Sequence, residues 1–152
     1  MSLRDAIRTG LKQAMRAQEP VRLGTLRLIN AAIKDRDIDA RAKGQDDGVE
    51  DSEILAILGK MVKQRQESAK AYEEGGRLEL AEKERAEIEV IEGFLPRQLN
   101  AEEVSEAVEA AIRDTGASSL RDMGKVMGVL KEHYTGQMDF GAVGPMVKEQ
   151  LA

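Results

Sequence analysis

The sequence predicts an all-α protein: an N-terminal four-helix domain over residues 1–96, then a small three-helix domain over residues 97–152. Three observations carry this. Aromatic residues are only 3% of the 152 and there is no Trp, so strand-favouring residues are scarce and helix formers abound. Apolar residues recur at i, i+3, i+4 and i+7 through most of the chain. The breaks in that rhythm fall at Gly, Pro and N-capping residues, which end and restart helices. The length suits one large domain or two small ones.

Ser2 followed by Asp5 opens the first helix as a weak capping pair. Leu3, Ile7, Leu11 and Met15 form its apolar stripe, and Arg4, Arg8, Lys12 and Arg16 run beside that stripe. Two readings of the basic residues stand: a solvated flank of a bundle helix, or a stripe facing phosphate or a membrane surface. Pro20 fits the first turn of the second helix. From Val21 to about Ile38, apolar residues occur nearly all round, which predicts a central helix buried on several sides. Gly44-Gln45-Asp46-Asp47-Gly48 reads as a mobile loop, without the alternate spacing of a calcium loop.

Asp51 or Ser52 is expected to cap the third helix, with Ile54, Leu58, Met61, Ala69 and Tyr72 inward. Arg65 lies on that same face and requires a partner there. Gly75-Gly76 ends the helix at a sharp corner. The fourth helix, about Leu78 to Gly93, turns Leu80, Ile88, Ile91 and Leu95 inward. Folding this hairpin about its glycines sets Arg65 opposite Glu87, with Glu84 one turn away. The expected pair is a structural one that fixes the hairpin's register. Phe94-Leu95-Pro96 closes the helix, because proline disfavours helix in the residue before it.

In the tail, Asn100 and Glu103 make a capping box for a helix with Val104, Ala107, Val108, Ala111 and Ile112 on one face, ending at Gly116. Met123, Val126, Met127, Leu130 and Tyr134 mark one face of the next helix, which also holds Gly124 and Gly128. Each glycine costs about 1 kcal/mol relative to Ala. Such a pair is tolerated where a side chain would obstruct another helix or a ligand's backbone. Asp139 caps a last helix through Phe140, Val143, Val147 and Leu151, which either kinks at Pro145 or begins its regular part near Gly144.

The net charge of −5 is unevenly spread: residues 1–43 hold ten Lys/Arg against five acids, and residues 100–152 hold five against nine. Attraction to phosphate is therefore expected from the N-terminal helices. The absence of Cys removes disulfides, thiolate nucleophiles and Cys-ligated metals. The lone His133 cannot assemble a triad or zinc site by itself, and no nucleotide-phosphate loop is present. No catalytic residue, metal or cofactor is expected. No apolar run approaches the ~18 residues of a membrane span, and no secretory signal is expected. A cytoplasmic location is expected.

Two blocks carry a resemblance. Lys60 through Ser68, Tyr72, Gly76-Arg77, Glu79-Leu80-Ala81 and Phe94 through Leu99 resemble the YqeY-like family. The tail, with Asp122 through Gly128, Gly136, Asp139 and Val147-Lys148, resembles that family and the C-terminal domain of the amidotransferase B subunit (GatB). Gly144-Pro145 departs from the usual pattern, which has a helix-friendly pair there. The resemblance implies a tRNA-contacting accessory module related to tRNA-dependent amidotransferases, carbon–nitrogen ligases that use glutamine as amide donor. It does not bring the large domain that performs that reaction, so a stand-alone amidotransferase is the least supported reading. If the chain binds tRNA, the expected contacts are Gly124 and Gly128 by close backbone approach, Lys125 and Lys131 by charge, and Arg4, Arg8 and Lys12 as candidate phosphate contacts on the basic N-terminal helix. The alternative is a helical adaptor that docks a translation-related protein.

Overall fold

The computed structural model describes residues 2–152, and among them the chain is all-helical, with seven α-helices and no strand. They are α1 (Leu3–Ala17), α2 (Pro20–Ala42), α3 (Asp51–Glu74), α4 (Leu78–Glu92), α5 (Ala101–Thr115), α6 (Met123–Tyr134) and α7 (Phe140–Leu151), with a 3-10 turn at Leu120–Asp122. The chain divides into two compact units, one ending at Leu95 and the other spanning Pro96–Ala152.

The first unit packs α1 to α4 around Ile7, Leu26, Ile29, Ile33, Ile54, Leu58 and Ile91, all essentially inaccessible. Ser2 caps α1, its Oγ accepting the Asp5 N–H at 3.2 Å. Small residues set how closely α1 packs: a Cβ on the buried Gly10 would lie 3.1 Å from Phe94 Cζ. Ala14 is buried one turn later, while Met15 is 54% exposed. The stripe expected through Met15 therefore turns towards the small residues after Leu11, where aromatic and aliphatic neighbours need room.

Two further expectations change. α2 is not buried on several sides: it buries Thr25, Leu26, Ile29, Ile33 and Ala40 but leaves Val21, Leu28 and Ile38 exposed. Its neighbours cover one face only, and the buried Thr25 hydroxyl donates to the Val21 carbonyl at 2.8 Å. On α4, Leu80 is exposed and Ala81 takes the inward place, because close contact with α3 beside the hairpin corner admits a methyl group better than an isobutyl one. The corner itself is made at Gly76, whose φ of 75° favours glycine, and the Arg77 N–H closes it on the Tyr72 carbonyl at 2.7 Å.

A polar node ties α1, α2 and the chain just before α3 together. Arg4 donates through both terminal nitrogens to Asp37, at 2.8 and 2.9 Å, and also to the Val49 carbonyl at 3.2 Å. Asp37 Oδ1 in turn accepts the Val49 N–H at 2.9 Å. The end of the glycine loop is thus pinned to α1 and α2, where the sequence suggested a mobile segment. Asp51 does not cap its own helix: its carboxylate accepts the Leu3 N–H at the start of α1, at 3.3 Å from each oxygen. Hydrogen bonds from Arg4, together with the Val49 N–H, hold the Asp37 carboxyl at about 2, outweighing the opposing effect of burial.

The second unit packs α5, α6 and α7 around Val108, Val126, Leu130 and Val147, with Ala107, Ala111, Val143 and Leu151. Asn100 and Glu103 form the complete capping box, with the Glu103 N–H on Asn100 Oδ1 at 2.8 Å and the Asn100 N–H on Glu103 Oε1 at 3.1 Å. Arg97 adds a two-pronged ion pair to Glu103, at 2.7 and 2.8 Å. This pair and the Asn100 N–H hold the Glu103 carboxyl at about 2. α7 runs unbroken through Pro145, so its regular part does not wait for Gly144. Pro145 is exposed, and its ring therefore displaces no core residue.

The node makes a pH-dependent prediction. Asp37 has a folded value below its unfolded one, so its contribution is present above about pH 4 and is lost as pH falls towards about 2. Asp37→Asn or Arg4→Met is expected to destabilise the protein by about 2 kcal/mol at neutral pH. Urea unfolding at pH 7 and at pH 2.5 checks this: the gap between wild type and Asp37→Asn should shrink at the lower pH, and an unchanged gap refutes it.

Candidate nucleic-acid or partner surface

α6 is positioned by what it buries. Val126 and Leu130 enter the core, and Met123, Met127, Val129 and Tyr134 flank them. A 3.6-residue repeat then sends Gly124, Lys125, Gly128 and Lys131 to the opposite face, where all four are exposed. Arg121, three residues before Gly124, is exposed as well. It was legible in the sequence from its i, i+3, i+4 spacing to Gly124 and Lys125, although the family motif does not include it.

Gly124 and Gly128 have helical backbone without positive φ, and a Cβ built on either meets nothing within 4 Å. No helix of the unit requires these two positions to be glycine, so packing against a neighbouring helix within the fold does not account for them. The result is a strip of uncovered helix backbone edged by cations. At the start of α6, Asp122 accepts the Ser118 N–H at 3.0 Å, and this hydrogen bond lowers its pKa. That carboxylate stands where a helix would otherwise attract an anion, which leaves the lysines and Arg121 as the attractive charges. His133, also exposed, sits in the last turn with Tyr134 edge-on at 6.4 Å between ring centroids.

The basic candidates on α1 behave differently from one another. Arg8 and Lys12 are exposed. Arg4 is not available for phosphate: its side chain is 24% exposed and its terminal nitrogens are committed to Asp37 and Val49. Arg4, Arg8 and Lys12 belong to the first compact unit, and the four α6 residues to the second. In the hairpin, Arg65 Nε donates to Glu87 Oε2 at 2.9 Å, with the two side chains 14% and 16% exposed, and Arg65 also reaches the Met61 carbonyl at 3.3 Å. Glu84 is half-buried one turn earlier and makes no ion pair with Arg65 among the described residues.

Elsewhere in the first unit, a groove of about 620 Å³ runs between the α1–α2 corner and α4, lined by residues that include Glu19, Val21, Arg22, Glu89 and Val90. Arg22 lies over the Phe94 ring at 5.9 Å from its centroid. Among the described residues, no group of three or more His, Cys, Asp or Glu could hold a metal ion, and no helix is long and apolar enough to cross a membrane.

These features define an all-helical protein with a small-residue, cation-edged helix face in its C-terminal unit. The chain belongs to the YqeY-like family, whose model, described as Yqey-like protein, matches residues 4–151. Its similar relatives include three proteins, each named "Altered inheritance of mitochondria protein 41, mitochondrial". That of Clavispora lusitaniae is 35% identical over 94 residues, covering 62% of this chain and 52% of the relative. That of Lachancea thermotolerans is 32% identical over 89 residues, 59% of this chain and 46% of the relative. That of Eremothecium gossypii is 30% identical over 110 residues, 71% of this chain and 58% of the relative. The chain thus spans about half the length of the curated relatives it matches. Their names also correct the expected cytoplasmic location: composition without cysteine or apolar spans does not distinguish a cytoplasmic protein from a mitochondrial one, and these relatives are named as mitochondrial.

The bare glycines give a direct stability test. Because each added methyl meets only solvent, Gly124→Ala and Gly128→Ala are each expected to stabilise the protein by about 0.5–1 kcal/mol. Thermal unfolding measures this; destabilisation by either substitution would mean that a packing contact requires the glycine.

Proposed function

We propose that the protein is a tRNA-contacting accessory module, related through its tail to tRNA-dependent amidotransferases, and that the exposed face of α6 is its contact. The observation that carries this reading is the empty space around the missing Cβ atoms of Gly124 and Gly128. Helix stability is given up at two positions, about 1 kcal/mol each, with no return in packing. A ribose–phosphate backbone lying along this strip approaches the helix more closely than it could over side chains. Lys125, Lys131 and Arg121 then neutralise phosphates on either side, and the scarcity of aromatics favours backbone contact over base stacking. Arg8 and Lys12 on α1 supply a second basic surface of the same chemistry. The net acidic character of residues 100–152 confines attraction in this unit to the α6 face.

The two units act in this reading as separate domains, and the fragment 97–152 is expected to fold alone with the cooperative melting of a small helical domain. A non-cooperative melt of that fragment would reject the division. The capping box and the Arg97–Glu103 pair lie wholly inside it.

Titration of the full chain with unmodified tRNA at several salt concentrations tests the function. Affinity is expected to fall steeply with salt, and the double variant Lys125→Glu/Lys131→Glu should lower the logarithmic salt slope by about one per lysine removed. Gly124→Leu and Gly128→Leu should weaken binding while leaving the melting temperature unchanged or raised. Tight binding that persists in the leucine variants would exclude this face, and absence of binding at low salt would exclude the function.

A further inference from the structure

The outward side of α2 carries an ordered pattern that the packing of its own unit does not use. Val21, Gly24, Leu28, Ala31, Asp35 and Ile38 succeed one another at alternating steps of three and four, and all six are exposed, Ile38 by 60% and Val21 and Leu28 by 49% each. The inward side is a different set, Thr25, Leu26, Ile29, Ile33 and Ala40. Scattered exposed apolar residues are ordinary on any protein surface. A three–four repeat sustained over most of a 23-residue helix is the seam pattern of paired helices. Arg27, Lys34 and Arg41, each seven residues from the next and each exposed, follow that seam along one edge.

We propose that this face of α2 is a docking seam for an amphipathic helix of another protein, one whose apolar stripe is flanked by acidic residues. Charge selects this occupant. A second copy pairing antiparallel would bring the Arg27, Lys34 and Arg41 edges against each other, and like charges at these flanking positions repel. Parallel pairing would set them against the other edge, where Thr25 is buried, Ala32 is neutral and Asp39 supplies a single carboxylate. An acidic flank on a foreign helix meets all three cations. Gly24 and Ala31 admit it closely, and a Cβ at Gly24 would itself meet nothing within 4 Å. Asp35 interrupts the stripe, and one polar seam position of this kind sets register, so the docked helix carries an amide or a cation opposite it. From Val21 to Ile38 the seam runs about 26 Å, some five turns of a partner helix. A largely apolar strip, whose one charged seam residue is the acid Asp35, with cations along one side suits a helix better than a nucleic acid, whose phosphates call for positive charge along the middle.

The test uses the full chain and a fluorescent four-heptad peptide with leucine at its seam, one seam asparagine, and glutamate at both flanking positions. Its own glutamates keep it from self-pairing. A second peptide has lysine in place of each glutamate. The acidic peptide is expected to bind about tenfold or more tightly than the basic one. Arg27→Glu/Lys34→Glu/Arg41→Glu should reverse that preference, and Leu28→Gln/Ile38→Gln should weaken acidic-peptide binding by about tenfold or more. All five side chains are exposed, so circular dichroism should show unchanged helix content. Equal binding of both peptides, or a preference that survives the charge reversal, overturns the proposal. So does self-association in sedimentation equilibrium that Leu28→Gln abolishes, which would give the face to a second copy. Loss of tRNA binding on charge reversal, with neither peptide bound, would give it to RNA.

Discussion

The node of Arg4, Asp37 and Val49 is the interaction on which the N-terminal unit depends. An aliphatic core is non-directional: Leu, Ile and Val on four helices are satisfied by several rotations and axial offsets of comparable burial. A forked guanidinium on one carboxylate, with that carboxylate also holding a backbone N–H, admits one arrangement. It joins the first turn of α1, the far part of α2 and the chain just before α3, and Asp51 adds a second tie to the first residue of α1. The loop between α2 and α3 is thereby closed at its end, and α3 sets out in a defined direction towards the hairpin with α4. Arg65 and Glu87 perform the corresponding task within the hairpin.

Use of an arginine for this purpose also removes it from the surface. Four basic residues along α1 look alike in the sequence, and only the partners brought from 33 and 45 residues away separate Arg4 from Arg8 and Lys12. The α6 face shows the reverse case. Its glycines are legible in the sequence as an expense without a stated purpose, and the sequence favours packing against a neighbouring helix over approach of a ligand until the neighbours are placed. Empty space where each Cβ would stand removes packing within the fold as that purpose. The same helix thus holds its unit together through Val126 and Leu130 and offers a smooth, cation-edged surface on its other side.

Much of the architecture was readable in advance. Ser2, Asn100, Asp139, Gly76 and Gly116 act where their chemistry places them, because capping and left-handed turns depend on residues within one turn of chain. The Arg65–Glu87 register follows from counting outward from a corner. The apolar differences share one physical origin. Met15, Leu80 and the outer apolar residues of α2 are hydrophobic by type, and whether they enter a core depends on how many neighbours each helix acquires. Apolar residues nearly all round α2 suggested burial on several sides; three helices cover only one side of it, and what remains is a seam.

What the sequence determined by itself is local: helix identity, most helix ends, family membership, and the presence of two glycines that a helix would otherwise avoid. These follow from backbone preferences, capping groups and short-range periodicity, all of which act over a few residues. Tertiary structure alone decided which charged groups are spent on the fold and which are free, which apolar residues enter a core, and whether a missing Cβ faces a neighbour or open solvent. Each of those depends on distances between residues far apart in the chain, and a pattern of types along a helix carries no record of what lies across from it.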